Sequence, residues 1–287
     1  MITGIYECHC HVALDGADYR NADARHRDGR EEEWVRSVLG TYRDAGIRYV
    51  RDGGDRWGAS ALAGKLAGEY GIEYAGPAFP IFRRGNYGAF IGVPYENTAE
   101  VRTLVRRVKE QGGRFLKLMA SGIMDFSRYG RITGYVLEQE ELDEIVRIAH
   151  GEGFPVMVHM NGADGIKRAV DAGADSVEHG NYADREALAM MADAGCLWVP
   201  TLSVTENLLG AGRYDDGSLN RILEMQREQI RLGGRLGVTI ACGSDAGAVR
   251  VMHAQASLQE AERLSRLLGG PGPVLEGQEK LRAAFPG

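Results

Sequence analysis

Asp171-Ala172-Gly173-Ala174-Asp175-Ser176-Val177-Glu178-His179-Gly180 holds the pattern that decides the fold. A charge-bearing amphipathic run stops at a glycine, the residue that takes φ > 0 most readily. A short apolar run follows at once and ends on polar side chains. The same junction recurs at Arg43-Asp44-Ala45-Gly46 before Ile47, Glu69-Tyr70-Gly71 before Ile72 and Gln111-Gly112-Gly113 before Arg114. It recurs again at Gly151-Glu152-Gly153 before Phe154, Asp193-Ala194-Gly195 before Cys196 and Leu236-Gly237 before Val238. Each is a helix stopped by glycine and followed by a strand. Seven such turns and an opening strand over 4–12 make eight strands, each followed by a helical run.

Strands alternating with helices pair in parallel through right-handed crossovers, and eight units predict an α/β fold of the closed (β/α)8 TIM-barrel type. An open doubly wound sheet fits less well, because no Gly-rich phosphate loop follows an early strand. The junctions also explain part of a glycine excess, 40 of 287 residues against a usual share of roughly 7%. That length suits one barrel of about 250 residues. With no Ser/Gly-rich linker and no low-complexity tract, residues 1–287 are expected to form a single domain. Gly269-Gly270-Pro271-Gly272-Pro273 breaks the chain after the eighth helix and leaves 269–287 as a short C-terminal tail.

Composition excludes several classes. The net charge of −6 gives no footprint for nucleic acid. No apolar run reaches membrane-spanning length, and the start, Met1-Ile2-Thr3-Gly4-Ile5-Tyr6-Glu7, lacks the features of a signal peptide. Four cysteines, Cys8, Cys10, Cys196 and Cys242, do not make a disulfide scaffold, so a cytoplasmic setting is expected. The expected partner is a small-molecule substrate; a homo-oligomer stays open.

The extra length falls in the loops after strands 3, 4 and 7 (about 80–97, 121–137 and 203–217), on the face where barrels build their sites. Polar residues gather on that face. Strand 1 reads Glu7-Cys8-His9-Cys10-His11, strand 5 ends in His159, strand 6 in Glu178-His179-Gly180, and strand 8 in Gly243-Ser244-Asp245-Ala246-Gly247. Strand 4 carries Lys117 between apolar neighbours, where a buried cation is costly unless paired or chemically altered. On strand 1, side chains alternate, so either the cysteines or the histidines share a face, and Glu7 should lie with His9 and His11.

In its ordered set of motifs the chain resembles the metal-dependent amidohydrolase superfamily, in the branch of imidazolonepropionase-like enzymes and prolidase-like carboxypeptidases. The resemblance spans residue 4 to about 265. It rests on His9-Cys10-His11, Lys117-Leu118-Met119-Ala120-Ser121-Gly122, His159, Glu178-His179-Gly180 and Gly243-Ser244-Asp245-Ala246-Gly247. It implies two divalent metal ions, zinc by its donor set, with His9, His11 and Asp245 on the more buried ion. His159 and His179 would hold the other, and a carboxylated Lys117 would bridge the two. Two metals sharing one water would acidify it and polarise the scissile carbonyl, with Asp245 as the proton carrier. Glu7 stands where the family usually has Asp, and would orient a ligand from behind. The family's accessory β-sandwich has no sequence here to build it.

The implied activity is hydrolysis of an amide, carbamate or cyclic-amide C–N bond in a small, carboxylate-bearing substrate such as an N-acyl amino acid or dipeptide. Alternatives are a lactonase, an ester or phosphoester hydrolase, and a metal-binding barrel without turnover. Candidate substrate residues in the long loops are Arg83, Arg84, Tyr87, Arg128, Arg131 and Tyr135, with His253 after strand 8.

Overall fold

In the computed structural model, which describes residues 2–29 and 31–287, all seven junction glycines (46, 71, 112, 153, 173, 195 and 237) take positive φ, from 65° to 90°. The described strands are β1 (Glu7–Cys10), β2 (Tyr49–Asp52), β3 (Glu73–Ala75), β4 (Ile81–Arg83), β5 (Val93–Tyr95), β6 (Leu116–Met119), β7 (Val156–Met160), β8 (Ser176–His179) and β9 (Leu197–Val199). The helices are α1 (Arg20–Arg27), α2 (Glu31–Asp44), α3 (Ala59–Leu66), α4 (Thr98–Glu110), α5 (Gln139–Gly151), α6 (Ala163–Asp171), α7 (Arg185–Ala194), α8 (Leu202–Glu206), α9 (Asp216–Leu236), α10 (Gln255–Leu267) and α11 (Pro271–Ala284). Three of them begin on a side-chain cap: Asn97 accepts from Glu100 N, Asp184 from Ala187 N and Asp215 from Ser218 N.

All named strand pairs are parallel, in the orders β1-β2-β3 and β5-β4-β6-β7-β8-β9. Two departures from the sequence expectation concern barrel positions three and eight. Position three is split: β3 pairs with β2, and β4 pairs with β6. Pro77 and Pro80 lie between the halves and lack the N–H that would continue the ladder. β4 and β5 thus occupy what the sequence left as a loop over 80–97. At position eight, hydrogen bonds replace a regular strand. Trp198 N donates to Thr239 O and Ala241 N to Trp198 O on one side; Cys8 N donates to Cys242 O and Asp245 N to His9 O on the other. The barrel closes through these bonds.

The barrel interior is apolar at its base and charged above. Cys8, Tyr49, Ala75, Phe115, Met157, Val199 and Ala241 pack together over Leu281 and Phe285. Residues 271–284, part of the segment expected as a tail, are helical and plug this end, with Tyr49 Oη donating to Phe285 O at 2.6 Å. Such burial stabilises the fold by roughly 1.5–3 kcal/mol per large apolar side chain. Among the described residues, no helix is long and apolar enough to cross a membrane.

Candidate active site

The site begins with a break in alternation on β1. Glu7 is in register with Val50 but Cys10 with Asp52, so three steps on β1 oppose two on β2, a bulge of one extra residue. The bulge turns Cys8 and His9 both inward, and Cys10 outward against α2. It also turns Glu7 away from the histidine rings, correcting the expectation that it shares their face. Glu7 Oε1 accepts from the backbone N–H of both His9 and Ser244 (2.9 Å each). Its Oε2 accepts from the hydroxyls of Ser244 and of Ser257 on α10 (2.5 Å each). One carboxylate therefore ties together the backbone beside His9 and the backbone beside Asp245.

Asp245 Oδ1 lies 3.4 Å from His9 Nε2 and 3.4 Å from His11 Nε2. These three residues offer donor atoms all within 4.8 Å of one another, an arrangement that can hold a metal ion. The surroundings fit one. His9 Nε2 and Asp245 Oδ1 are buried without a hydrogen-bond partner, and two such acceptors are costly unless a cation satisfies them; Lys117 Nζ is likewise buried and unpartnered. Backbone packing around them is tight. A Cβ on Gly243 would meet His9 N at 2.7 Å and Val199 Cγ1 at 2.5 Å, so only glycine lets position eight approach β1 this closely.

His159 and His179 stand beside this triad. Ring centroids are 5.1 Å apart for His9 and His179 and 4.6 Å for His159 and His179. His159 Nε2 donates to Gly122 O at 3.1 Å, and His179 Nδ1 bonds Thr201 Oγ1 at 2.7 Å, leaving one free ring nitrogen each. Burial, reinforced by the Lys117 cation, pushes His11 and His159 down to about 3 and His9 well below its ordinary value. Burial and then His159 do the same to His179. All four imidazoles are therefore neutral, as ligation requires. Lys117 is 1% exposed, and burial holds its ammonium below the usual lysine range. Burial raises the Asp245 carboxyl, with Lys117 opposing. Asp245 and His179 both take left-handed backbone (φ 59° and 67°), a strained state that tends to collect at functional sites.

Beneath the histidines lies a support the sequence did not reveal. His9 Nδ1 donates to Glu178 Oε2 at 2.6 Å, which fixes the tautomer and aims Nε2 at Asp245. Glu178 in turn accepts from Arg51 Nη2 at 2.8 and 2.9 Å, and Arg51 also donates to Ser176 Oγ and Cys8 O. Both charged residues are fully buried. A charged residue in a strand whose neighbours are all buried was the available signal for Arg51; its partner, 127 positions away, was not.

A cavity of ≈ 430 Å³ opens above Asp245, lined by His11, His159 and His179 and walled by Tyr87, Phe90, Phe126 and Tyr214. Of the seven candidate substrate residues, only Tyr87 lines it, with its ring 5.1 Å from His159. Arg83 and Tyr135 bond Glu141 and Glu138 outside it, Arg84 pairs with Glu96, and Arg131 with Asp125. Arg128 is exposed and does not line it. His253 is held by Tyr42 Oη and Leu14 O. The arginines on the wall are Arg20, paired with Asp18, and Arg213, which stacks over Tyr214 at 5.5 Å. The four cysteines are free and buried, and burial pushes every thiol up, as packed structural residues require.

The amidohydrolase family profile matches residues 4–274. The chain belongs to the amidohydrolase family. Over 188 residues it is 33% identical to an ochratoxinase of Aspergillus niger, a match covering 64% of this chain and 38% of that protein. An uncharacterised Mycobacterium tuberculosis protein is 24% identical over 276 residues, 90% of this chain and 68% of its own. The solved A. niger ochratoxinase superposes with a TM-score of 0.81 at 22% identity, over 99% of this chain and 72% of that one. A Xaa-Pro dipeptidase with methionine bound in its active site gives 0.77 at 22%, over 99% and 76%. At that identity the likeness shows the fold, and it places this amidohydrolase among barrels of the TIM type.

Proposed function

We propose that this amidohydrolase cleaves the C–N bond of a small amide bearing a carboxylate, an N-acyl amino acid or dipeptide, at a two-metal centre. The observation that supports it most is the convergence of His9 Nε2, His11 Nε2 and Asp245 Oδ1 below a walled cavity, with Lys117 buried and unpartnered. His9, His11 and Asp245 would hold one ion; His159 and His179 would hold a second, with Lys117 between them as its CO2 adduct. When bound, such ions supply Lewis acidity and a water of lowered pKa. Asp245 accepts the proton of the attacking water and returns it to the leaving nitrogen. Glu178 and Arg51 keep the His9 ring in one tautomer, and Tyr87 packs against the His159 ring at the cavity wall.

Arg213 supports the carboxylate. Among the described residues it lines the cavity with no ionic partner. Arg213→Met is expected to raise KM for N-acyl amino acids about tenfold, as loss of a partly exposed charged hydrogen bond does, and to leave the matching carboxamides unchanged. Equal loss on both would remove the assignment.

The test of the reading is a panel of N-acyl amino acids, dipeptides, lactones, aryl esters and aryl phosphates, assayed on zinc-, manganese- and cobalt-loaded protein. Amide turnover with about two metal equivalents per chain, and the mass of CO2 on Lys117 under native conditions, is expected. One equivalent or none, with unmodified Lys117, overturns the two-metal centre. Turnover of lactones or esters alone overturns the amide assignment. A metal-replete protein inert on the whole panel overturns catalysis.

A further inference from the structure

The cavity wall away from the histidines holds a polar group whose direction can be worked out. Gln226, on α9, is 5% exposed, lines the cavity, and has a buried Oε1 with no partner. An amide viewed alone can be turned either way, so the question is whether its neighbours fix it. Here they do, through three amides in series. Asn161 Nδ2 donates to the Gly122 carbonyl at 3.0 Å, and a carbonyl can only accept. Asn161 Oδ1 therefore faces Asn181, and it accepts from that residue's backbone N–H at 3.2 Å, which can only donate. The same Oδ1 accepts from Asn181 Nδ2 at 2.8 Å, so Asn181 Oδ1 must face Gln226 and accept from its Nε2 at 2.7 Å. Gln226 Oε1 is left as an acceptor with nothing to accept from within the protein, on a side chain that lines the cavity. Thr205, a 1% exposed residue on the same cavity, also has an unpartnered Oγ1, but a hydroxyl donates or accepts and imposes no direction.

We propose that Gln226 selects for substrates that bring an N–H or O–H donor to it, with Asn161 and Asn181 as the positioning residues that lock its amide. This rests on the hydrolase reading above and names the polar feature its substrate carries beyond the scissile amide and the carboxylate. The selection follows from burial. A donor on the substrate satisfies Oε1, whereas a methyl at the same place strands it out of water, and sites built this way discriminate strongly.

The test uses two matched pairs: N-acetyl-alanyl-phenylalanine against its analogue methylated on the alanine nitrogen, and N-acetyl-serine against N-acetyl-O-methylserine. Dissociation constants come from calorimetry on metal-free and metal-loaded protein, and kcat and KM from hydrolysis. Wild type should favour the donor-bearing member of at least one pair by about ten- to a hundredfold, in binding as well as in KM. Gln226→Met should abolish that preference at an unchanged melting temperature. Gln226→Glu, which keeps an acceptor, should retain most of it. Asn181→Leu should weaken it through KM while kcat on the methylated member stays within about twofold. Preference that survives Gln226→Met, equal handling of both pairs by wild type, or no binding of any of the four compounds overturns the inference. Binding preference without hydrolysis would instead overturn the hydrolase reading and leave Gln226 as the selecting acceptor; hydrolysis without preference does the reverse.

Discussion

Asp245→Asn should lower kcat about a thousandfold, within the 10²–10⁴ range of a general acid–base group, while the apoprotein melts no lower than wild type. Asparagine is the informative substitution for two reasons. Position 245 holds φ at 59°, a region that asparagine tolerates and that alanine enters with strain. Asp245 Oδ1 has no hydrogen-bond donor in the protein, so a neutral amide breaks no hydrogen bond, and the relief of a charge that burial disfavours outweighs the lost attraction to Lys117. Stability of the apoprotein is therefore expected to hold or rise, and any fall in turnover belongs to chemistry and metal retention. Metal content should fall with it, since one of three convergent donors is lost. Thermal melts of apoprotein, metal analysis and turnover on the best N-acyl amino acid separate these effects. Turnover within threefold of wild type would remove Asp245 from proton transfer.

That prediction uses a residue whose place was legible in the sequence. The glycine junctions placed the helix stops, and with them where the next strand position begins, because a left-handed residue at a helix stop is a local requirement, met at Gly46 and Gly237 alike. Once strand ends are known, His159, His179, Lys117 and Asp245 fall on one barrel face by topology alone. What escaped depends on partners far apart in the chain or on a local insertion. The β1 bulge shifts Glu7 off the expected face because period-two alternation assumes that no residue is added. The loop arginines Arg83 and Arg84 are neutralised by Glu141 and Glu96, contacts fixed by tertiary packing. Gln226 had a readable signal. It falls on the buried stripe of Leu219, Ile222, Leu223 and Ile230, where a polar side chain is out of pattern.

Arg51→Met should strongly destabilise the fold, and its rescue should separate stability from the site. The guanidinium is fully buried, donates to Glu178, Ser176 and Cys8, and lies 4.5 Å over the Phe285 ring. Its removal leaves the Glu178 carboxylate buried with only the His9 ring and the Ser176 hydroxyl to bond it. Breaking one side of such a pair costs about 3–5 kcal/mol, or roughly a 10 °C fall in Tm for a chain of this length. Replacing both partners, Arg51→Met with Glu178→Leu, takes away the stranded charge as well, and much of the lost stability should return because apolar packing replaces a pair that was expensive to bury. Metal binding should not return with it. In the double variant His9 Nδ1 has lost its acceptor, so nothing selects the tautomer that presents Nε2 to the site, and affinity should stay about 10–100-fold down. Thermal melts and zinc titrations of the wild type, both single variants and the double variant give the full cycle. If stability and zinc affinity recover together, Glu178 serves only to neutralise Arg51. If stability recovers and affinity does not, the buried pair exists to aim one histidine.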